Sequence, residues 1–484
     1  MGYAAPWMAV RRGAVEPAPS NRPAHYRDLK FPPAPFTPPD PASARIDIPN
    51  GITAFVVEEP LLPMVRVTAY VDATTVHDPA GKEGLAALAL EMIERGGAGT
   101  RSGDEVAAAL GAAGVRLTTD VTDLRTAFTL VMPVDRQNEV LDLLGQLVLH
   151  PRFDADEFED VRSRTALRTE RQRDTPGVVL NDLFASTVYG STHPQARAAT
   201  RASVETITLD DIKAFHAAYY RPERIALAVS GRVDRDALQP LLAASFAATQ
   251  AAAGAPDAIV PRVPPPGGAA GGTVRTVDRP AAQAQVMLGY PGIAGRPADH
   301  AALEVMHYVL AGGGFGSRMM DELRTRRGLT AALYGEVRPV RFGQGTYVWR
   351  FNGNPDTIAE AIRLALAEIE RMRTGGVTEE EFENARTAYL EGHIPHAYDT
   401  AHARAERFAQ ARLLGLYEYV SEQYLNYYAG DAAQRAVLQT LTLADVNAAA
   451  KKYLRPEQAV IAIVGPLERI QKGATDETRK YVGW

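Results

Sequence analysis

The sequence predicts an α+β fold of two tandem homologous domains, each a mainly antiparallel sheet packed with helices. Three observations predict it. Strand-like alternation and helical spacing follow one another along each half of the chain. A stretch dominated by Ala, Pro and Gly divides the halves. A long element of the first half recurs in the second.

Taken in order, residues 1–44 read as an extended arm, Pro-rich from about Val15 to Pro41 and poor in periodic apolar positions. Regular structure begins at Ile46-Asp47-Ile48-Pro49-Asn50-Gly51-Ile52, where Asn50-Gly51 between two β-type runs signals a hairpin. Met64 to Val71 alternates like a half-buried strand. Helical spacing appears from Gly84 to Arg95 and again from Ser102 to Ala113. Strands are expected at Val115 to Thr119 and Thr126 to Val131, and long helices at Gln137 to Leu149 and Ala155 to Arg173. A first domain over 45–248, a linker over 249–273 and a second domain over 274–484 follow from this pattern.

The repeat ties the halves together. Thr208 to Val233 reads TLDDIKAFHAAYYRPERIALAVSGRV, and Thr442 to Leu467 reads TLADVNAAAKKYLRPEQAVIAIVGPL. Thr208 pairs with Thr442, Arg221-Pro222-Glu223 with Arg455-Pro456-Glu457, and Gly231 with Gly465, at a constant offset of 234 residues. Each copy is a helix capped by Thr with acid in its first turn, an Arg-Pro break, and a buried strand ending in Gly.

Composition narrows the function classes. The 484 residues are too many for one ordinary domain. A net charge of −6 argues against a nucleic-acid partner, which needs a clustered basic surface. The absence of Cys removes disulfides, zinc ribbons and a thiol nucleophile. No apolar run reaches the length of a transmembrane helix, and the first residues do not read as a signal peptide.

Two further motifs carry chemistry. The first is Gly84-Leu85-Ala86, then Glu91-Met92-Ile93-Glu94-Arg95-Gly96, then Gly99-Thr100. The second is Ala311-Gly312-Gly313-Gly314-Phe315-Gly316-Ser317-Arg318, then Glu322-Leu323-Arg324, then Arg327-Gly328-Leu329. With the repeat, these resemble the insulinase/pitrilysin family of metallopeptidases, to which the mitochondrial processing peptidases belong, from about Ile46 to Leu467. Active members carry His-x-x-Glu-His on the first motif's helix. Two His bind zinc, the Glu is general base, and a Glu on a later helix completes the metal shell. In this frame Ala87 stands at the first His, Leu90 at the Glu and Glu91 at the second His. The later ligand falls near Arg168, counting back from Asp174-Thr175-Pro176. Ala and Leu cannot bind zinc, and Arg is permanently cationic.

The resemblance therefore implies a chain with no catalytic residue and no cofactor of its own. It would be the substrate-binding or regulatory subunit of a heterodimer, whose homologous partner carries His-x-x-Glu-His and the zinc. The alternative is a structural subunit of a larger complex, like the core proteins of the respiratory bc1 complex; an active homodimer with an unusual site is the third reading. Arg324 aligns with a substrate-binding Arg of the family. The companion Tyr is expected at Ala331, which departs from the pattern. Tyr334 lies three residues on, on the opposite strand face if the strand is regular, as a substrate contact or a core residue. The plain alternative for Arg324 is an ion pair with Asp321 or Glu322. Periplasmic residence is expected from the resemblance alone, with the cytoplasm as alternative.

Two other features have plainer readings. Gly312-Gly313-Gly314 lacks the Lys-Ser or Lys-Thr of a phosphate loop and reads as a turn before a helix; the resemblance adds a gating role towards substrate. His393, His396 and His402 with Asp399 have spacing open to a metal, but Pro395 is expected to interrupt the helix between them, and exposed His residues are the plain reading. His216 and His307 read as packed or surface residues.

Overall fold

A computed structural model describes residues 36–247, 263–269, 271–294, 299–338, 343–414 and 431–483. Most of the arm and of the linker expected from the sequence lie outside these residues. Two sheets carry the fold. The first contains β1 (Arg45–Asp47), β2 (Thr53–Glu58), β3 (Met64–Val71), β4 (Arg116–Val121), β5 (Thr126–Pro133) and β6 (Ile225–Gly231), in the order β1-β2-β6-β3-β5-β4. The second contains β7 (Val274–Asp278), β8 (Ala284–Ala294), β9 (Thr330–Arg338), β10 (Gln344–Gly353) and β11 (Val460–Gly465), in the order β7-β11-β8-β10-β9.

The repeat fills the same place in both sheets. β6 runs parallel to β2 and antiparallel to β3; β11 runs parallel to β7 and antiparallel to β8. β6 and β11 are buried along almost their whole length on both faces of their sheets, which is why they are near-continuous apolar runs rather than alternating ones. The helices before them begin with reciprocal caps. Thr208 accepts from the Asp211 N–H at 3.2 Å, while the Asp211 carboxylate accepts from the Thr208 N–H at 2.9 Å. Thr442 and Asp445 do the same. Gly231 has φ +124°, and a Cβ there would lie 2.1 Å from the Met64 carbonyl oxygen, so only Gly closes this strand.

The local elements follow the sequence reading within a residue or two. Helices span Leu85–Arg95, Gly103–Ala112, Gln137–Leu149 and Ala155–Gln172. The first of these buries Leu88, Met92 and Ile93 in a core with Leu141 and Leu144 and with Val67, Phe128 and Leu130 of the sheet.

One arrangement was not foreseen. The helix Pro176–Tyr189 belongs by sequence to the first half but packs Leu180, Phe184 and Val188 on Met287, Val348, Ala462 and Val464 of the second sheet. In return, the helix Ala401–Leu414 lies on the first sheet, with Phe408 5.9 Å from Phe55 between ring centroids. Each sheet has an apolar face left open by its own half, and the other half covers it. The first half keeps a core of its own, and a second apolar cluster joins the two halves.

A polar clasp accompanies the second crossing. Tyr70 on β3 donates to Glu406 at 2.6 Å and accepts from Gln410 at 3.0 Å. His402 lies 3.0 Å from the same Glu406 oxygen. Tyr70→Phe removes one donor and one acceptor from a largely buried pair, and is expected to cost about 1–2 kcal/mol. Urea unfolding would measure it. A midpoint unchanged from wild type would show that water already serves these groups.

The histidine segment differs from expectation. The chain passes from the helix Glu379–Thr387 through a π turn (Ala388–His393) into Ile394–His396, so Pro395 does not break it. The wide turn absorbs the missing N–H. No helix among the described residues is long and apolar enough to cross a membrane.

Candidate functional site

The helix Leu85–Arg95 presents one face to a cavity of about 540 Å³. Spacing of three and four puts Gly84, Ala87, Leu90, Glu91 and Glu94 on that face. Its N-terminus is held by Asp78, whose carboxylate accepts from the Gly84 N–H at 2.7 Å and the Ala86 N–H at 2.8 Å. Burial pushes the Asp78 carboxyl up to about 7, against the opposing pull of the two N–H donors and Arg197.

The helix Ala155–Gln172 forms the facing wall. Its Arg168 guanidinium pairs with one oxygen of Glu91, and Thr165 donates to the other at 2.8 Å. Glu91 is 18% exposed and Arg168 49%. Glu94, one turn on, accepts from Thr119 of β4, and burial raises its carboxyl above the ordinary value despite that bond. The four positions singled out from the sequence, Ala87, Leu90, Glu91 and Arg168, therefore meet at one cavity.

These side chains do not fit a zinc ion. Ala87 and Leu90 offer no donor atom. The one carboxylate in the right place, Glu91, is already neutralised by a cation on the opposite wall. Among the described residues, no group of three or more His, Cys, Asp or Glu converges as a metal site. The His393, His396 and His402 set is dispersed as well. His393 packs at a tilt against the Tyr389 ring, His396 pairs with Asp399 at the surface, and His402 faces Glu406 and Ser230. His216 and His307 are packed residues. Each bonds a backbone carbonyl, of Val148 and Gly335, and burial lowers each to about 4.

Asp78 makes the site's pH dependence testable. Its folded value of about 7 lies above the ordinary 3.8, so the stability it contributes is complete below about 4 and is lost as pH rises through 7. Asp78→Asn is expected to gain on wild type by a few kcal/mol between about pH 4 and about pH 8. Urea midpoints across that range would read it. Parallel curves for the two proteins would mean that the carboxyl titrates normally.

Arg324 and Tyr334 lie outside this cavity, in the second half. Arg324 is in a π turn (Asp321–Arg326), donates to the Ala331 carbonyl, and stands 4.5 Å above the Phe315 ring. The ion pairs considered for it are not formed. Arg326 takes Asp321 at 2.7 Å and Arg327 takes Glu322 at 2.8 Å. Tyr334 is not a core residue, being 70% exposed. The register of β9 on β10 shifts between Thr330 and Leu333, where Ala331 and Ala332 together face Asn352, so the strand is not regular. The bulge resets the alternation, and both Ala331 and Tyr334 are exposed.

Sequence reasoning missed Phe315 as the aromatic partner of Arg324. Its one signal was an aromatic residue among four glycines. The Gly-rich segment is a turn before a helix, as read. A π turn (Tyr308–Gly312) and a 3-10 turn (Gly314–Gly316) lead to Arg318, which pairs with Glu381 at 2.6 Å.

The family description "Insulinase (Peptidase family M16)" matches residues 55–201, and "Peptidase M16 inactive domain" matches residues 206–389. An uncharacterized zinc protease of Mycobacterium tuberculosis is 27% identical, over 89% of this chain and 95% of its own length. A protein of Helicobacter pylori called a non-peptidase homolog is 24% identical, over 72% of this chain and 77% of its own. The crystal structure of a peptidase M16 inactive domain from Pseudomonas fluorescens superimposes with a TM-score of 0.73 at 23% identity, covering 87% of this chain and 97% of that one.

Proposed function

Because the chain belongs to the insulinase family of M16 peptidases, we propose that it is the non-catalytic, substrate-binding subunit of a heterodimeric zinc metallopeptidase. The observation that supports this reading is the Arg168–Glu91 pair, at two positions that the resemblance aligns with zinc ligands. A homologous partner bearing His-x-x-Glu-His would hold the zinc and supply the general base. This chain would complete the cleft and hold peptide.

Two features of the chain support a peptide-holding role. β4 is the edge of the first sheet, and its Thr119, Asp120 and Val121 line the cavity, so an extended peptide could add to that edge. Arg324 has its carboxylate neighbours taken by Arg326 and Arg327, which leaves its charge to a carbonyl or an oxyanion of substrate.

The test is a metal and peptidase assay on the purified chain, alone and then mixed with a homologue from the same genome that carries His-x-x-Glu-His. The expected result is no cleavage alone and cleavage on mixing, with Arg324→Ala lowering kcat of the mixture by about a hundredfold. No cleavage with any such homologue would replace this reading by a structural role in a larger assembly. Stoichiometric zinc and cleavage by the chain alone would overturn both.

A further inference from the structure

We propose that the second half holds a binding site for a small aromatic carboxylate, in a cavity left where one copy of the repeat lacks an internal ion pair. The cavity, of about 330 Å³, lies at one end of the second sheet and reaches Leu303 of the helix His300–His307. Its volume is that of a small-molecule site. It shares no lining residue with the cavity at Ala87, and the inference is independent of the subunit reading.

The first half explains the space. The offset of 234 residues puts Gln458 at the place of Arg224, and Tyr453 at that of Tyr219. Tyr70 pairs with Ala226 as Gly289 pairs with Val460, so Pro291, two residues on, stands at the place of Asp72. In the first half, Arg224 pairs with Asp72 and lies over the Tyr219 ring, and these buried groups occupy the sheet end. Gln458 and Pro291 cannot make that pair. Both line the cavity instead, together with Tyr453.

The walls are fixed and their chemistry names the ligand. Val337, Tyr347 and Tyr290 are direct partners on β9, β10 and β8, so they share one sheet face and offer a flat apolar floor. The Tyr290 hydroxyl donates to the Tyr453 carbonyl at 3.0 Å and accepts from the Arg455 N–H at 3.2 Å, which ties down the turn that bears Arg455. The Tyr453 hydroxyl donates to Asp299 at 2.6 Å and holds its ring. Arg455 is the one charged residue among the described lining residues, and it is exposed at the mouth. Its counterpart Arg221 lies 2.7 Å from Glu223. Arg455 has no such pair among the described residues. Its side chain bonds the Lys452 carbonyl through Nε at 3.3 Å, which leaves both terminal nitrogens for a carboxylate. Gln344 gives its amide N–H to the Gly292 carbonyl at 2.6 Å, and its amide oxygen is left for a ring N–H. The class of ligand is a planar ring with one N–H donor and a carboxylate on a short arm.

The experiment is a calorimetric titration of the full chain with indole-3-propionate. One site is expected, with a dissociation constant below about 1 mM. Arg455→Gln, an exposed change that leaves the fold intact, should weaken binding about tenfold. Indole-3-propionamide, which lacks the charge, should bind wild type as weakly as the acid binds that variant. Pro291→Asp with Gln458→Arg rebuilds the ion pair of the first half and should abolish binding, with a melting curve to show that the chain is folded. A wild-type chain that gives no binding heat would overturn the site and leave the subunit reading intact. Binding that survives in the folded double variant would overturn it too, by placing the ligand elsewhere. Equal binding by wild type and Arg455→Gln would overturn the carboxylate assignment.

Discussion

Arg224→Ala is expected to destabilise the chain by about 3–5 kcal/mol, because it strands a buried carboxylate. Arg224 lies at the start of β6, just past the Arg-Pro-Glu turn. Its Nη2 reaches Asp72 twice, the side chain at 2.6 Å and the backbone carbonyl at 2.7 Å. The Asp72 N–H donates back to the Arg224 carbonyl at 3.0 Å. The Asp72 side chain is 0% exposed and that of Arg224 9%, so no water replaces the lost partner. The Tyr219 ring stands 5.3 Å from the guanidinium and adds a second contact. A urea unfolding curve would show the loss as a lower midpoint with an unchanged slope. The double variant Arg224→Met with Asp72→Asn should recover much of it, since an uncharged pair leaves no stranded charge. A loss under about 1 kcal/mol in Arg224→Ala would mean the carboxylate finds solvent after all. The second copy of the repeat has Gln458 at the matching position, so this bond belongs to the first half alone.

The second large effect is a gain. Ala87→His, Leu90→Glu, Glu91→His and Arg168→Glu together are expected to give a chain that keeps one zinc through dialysis, with micromolar affinity or better, about 8 kcal/mol or more. The reasoning is geometric. Positions 87 and 91 are four apart on one helix face, the spacing at which two imidazoles reach one ion. Position 168 already touches position 91 across the cavity. Three ligands would therefore converge without movement of the backbone. The variant that keeps Arg168 should bind far more weakly, because a fixed cation would repel the ion. Elemental analysis against the wild-type chain reads both. A four-fold variant that melts normally and holds no zinc would show that Arg168 does not mark the third ligand position. Leu90 is buried, so its replacement costs stability, and the melting curve must accompany the metal count.

The same positions show what a sequence can and cannot carry. Strand β3 and the helices from Leu85 to Gln172 were legible because period, cap and breaker are properties of neighbours along the chain. The repeat was legible for the same reason, and it located an interior strand of both sheets. That Ala87 and Leu90 have no ligand atoms needed only their identity. Other features waited for the tertiary structure. That Arg168 lies on Glu91 depends on two helices meeting across 77 positions of sequence. Phe315 rather than Asp321 or Glu322 became the partner of Arg324 because a π turn rotates the guanidinium away from its own helix and hands the carboxylates to Arg326 and Arg327. Tyr334 came to the surface because a bulge in β9 shifted the alternation by one residue. Pro395 left its helix unbroken because a π turn before it had already made room.

By itself, then, the sequence determined the elements, their duplication and the identities of Ala87, Leu90 and Glu91 on the helix face. The tertiary structure decided which cation meets Glu91, which ring lies under Arg324, and which sheet each crossing helix covers. The division has a physical cause. Backbone propensity and amphipathic period act over a few residues. Ion pairs, ring contacts and the burial of a sheet's second face are settled only when distant segments compete for the same partner in space.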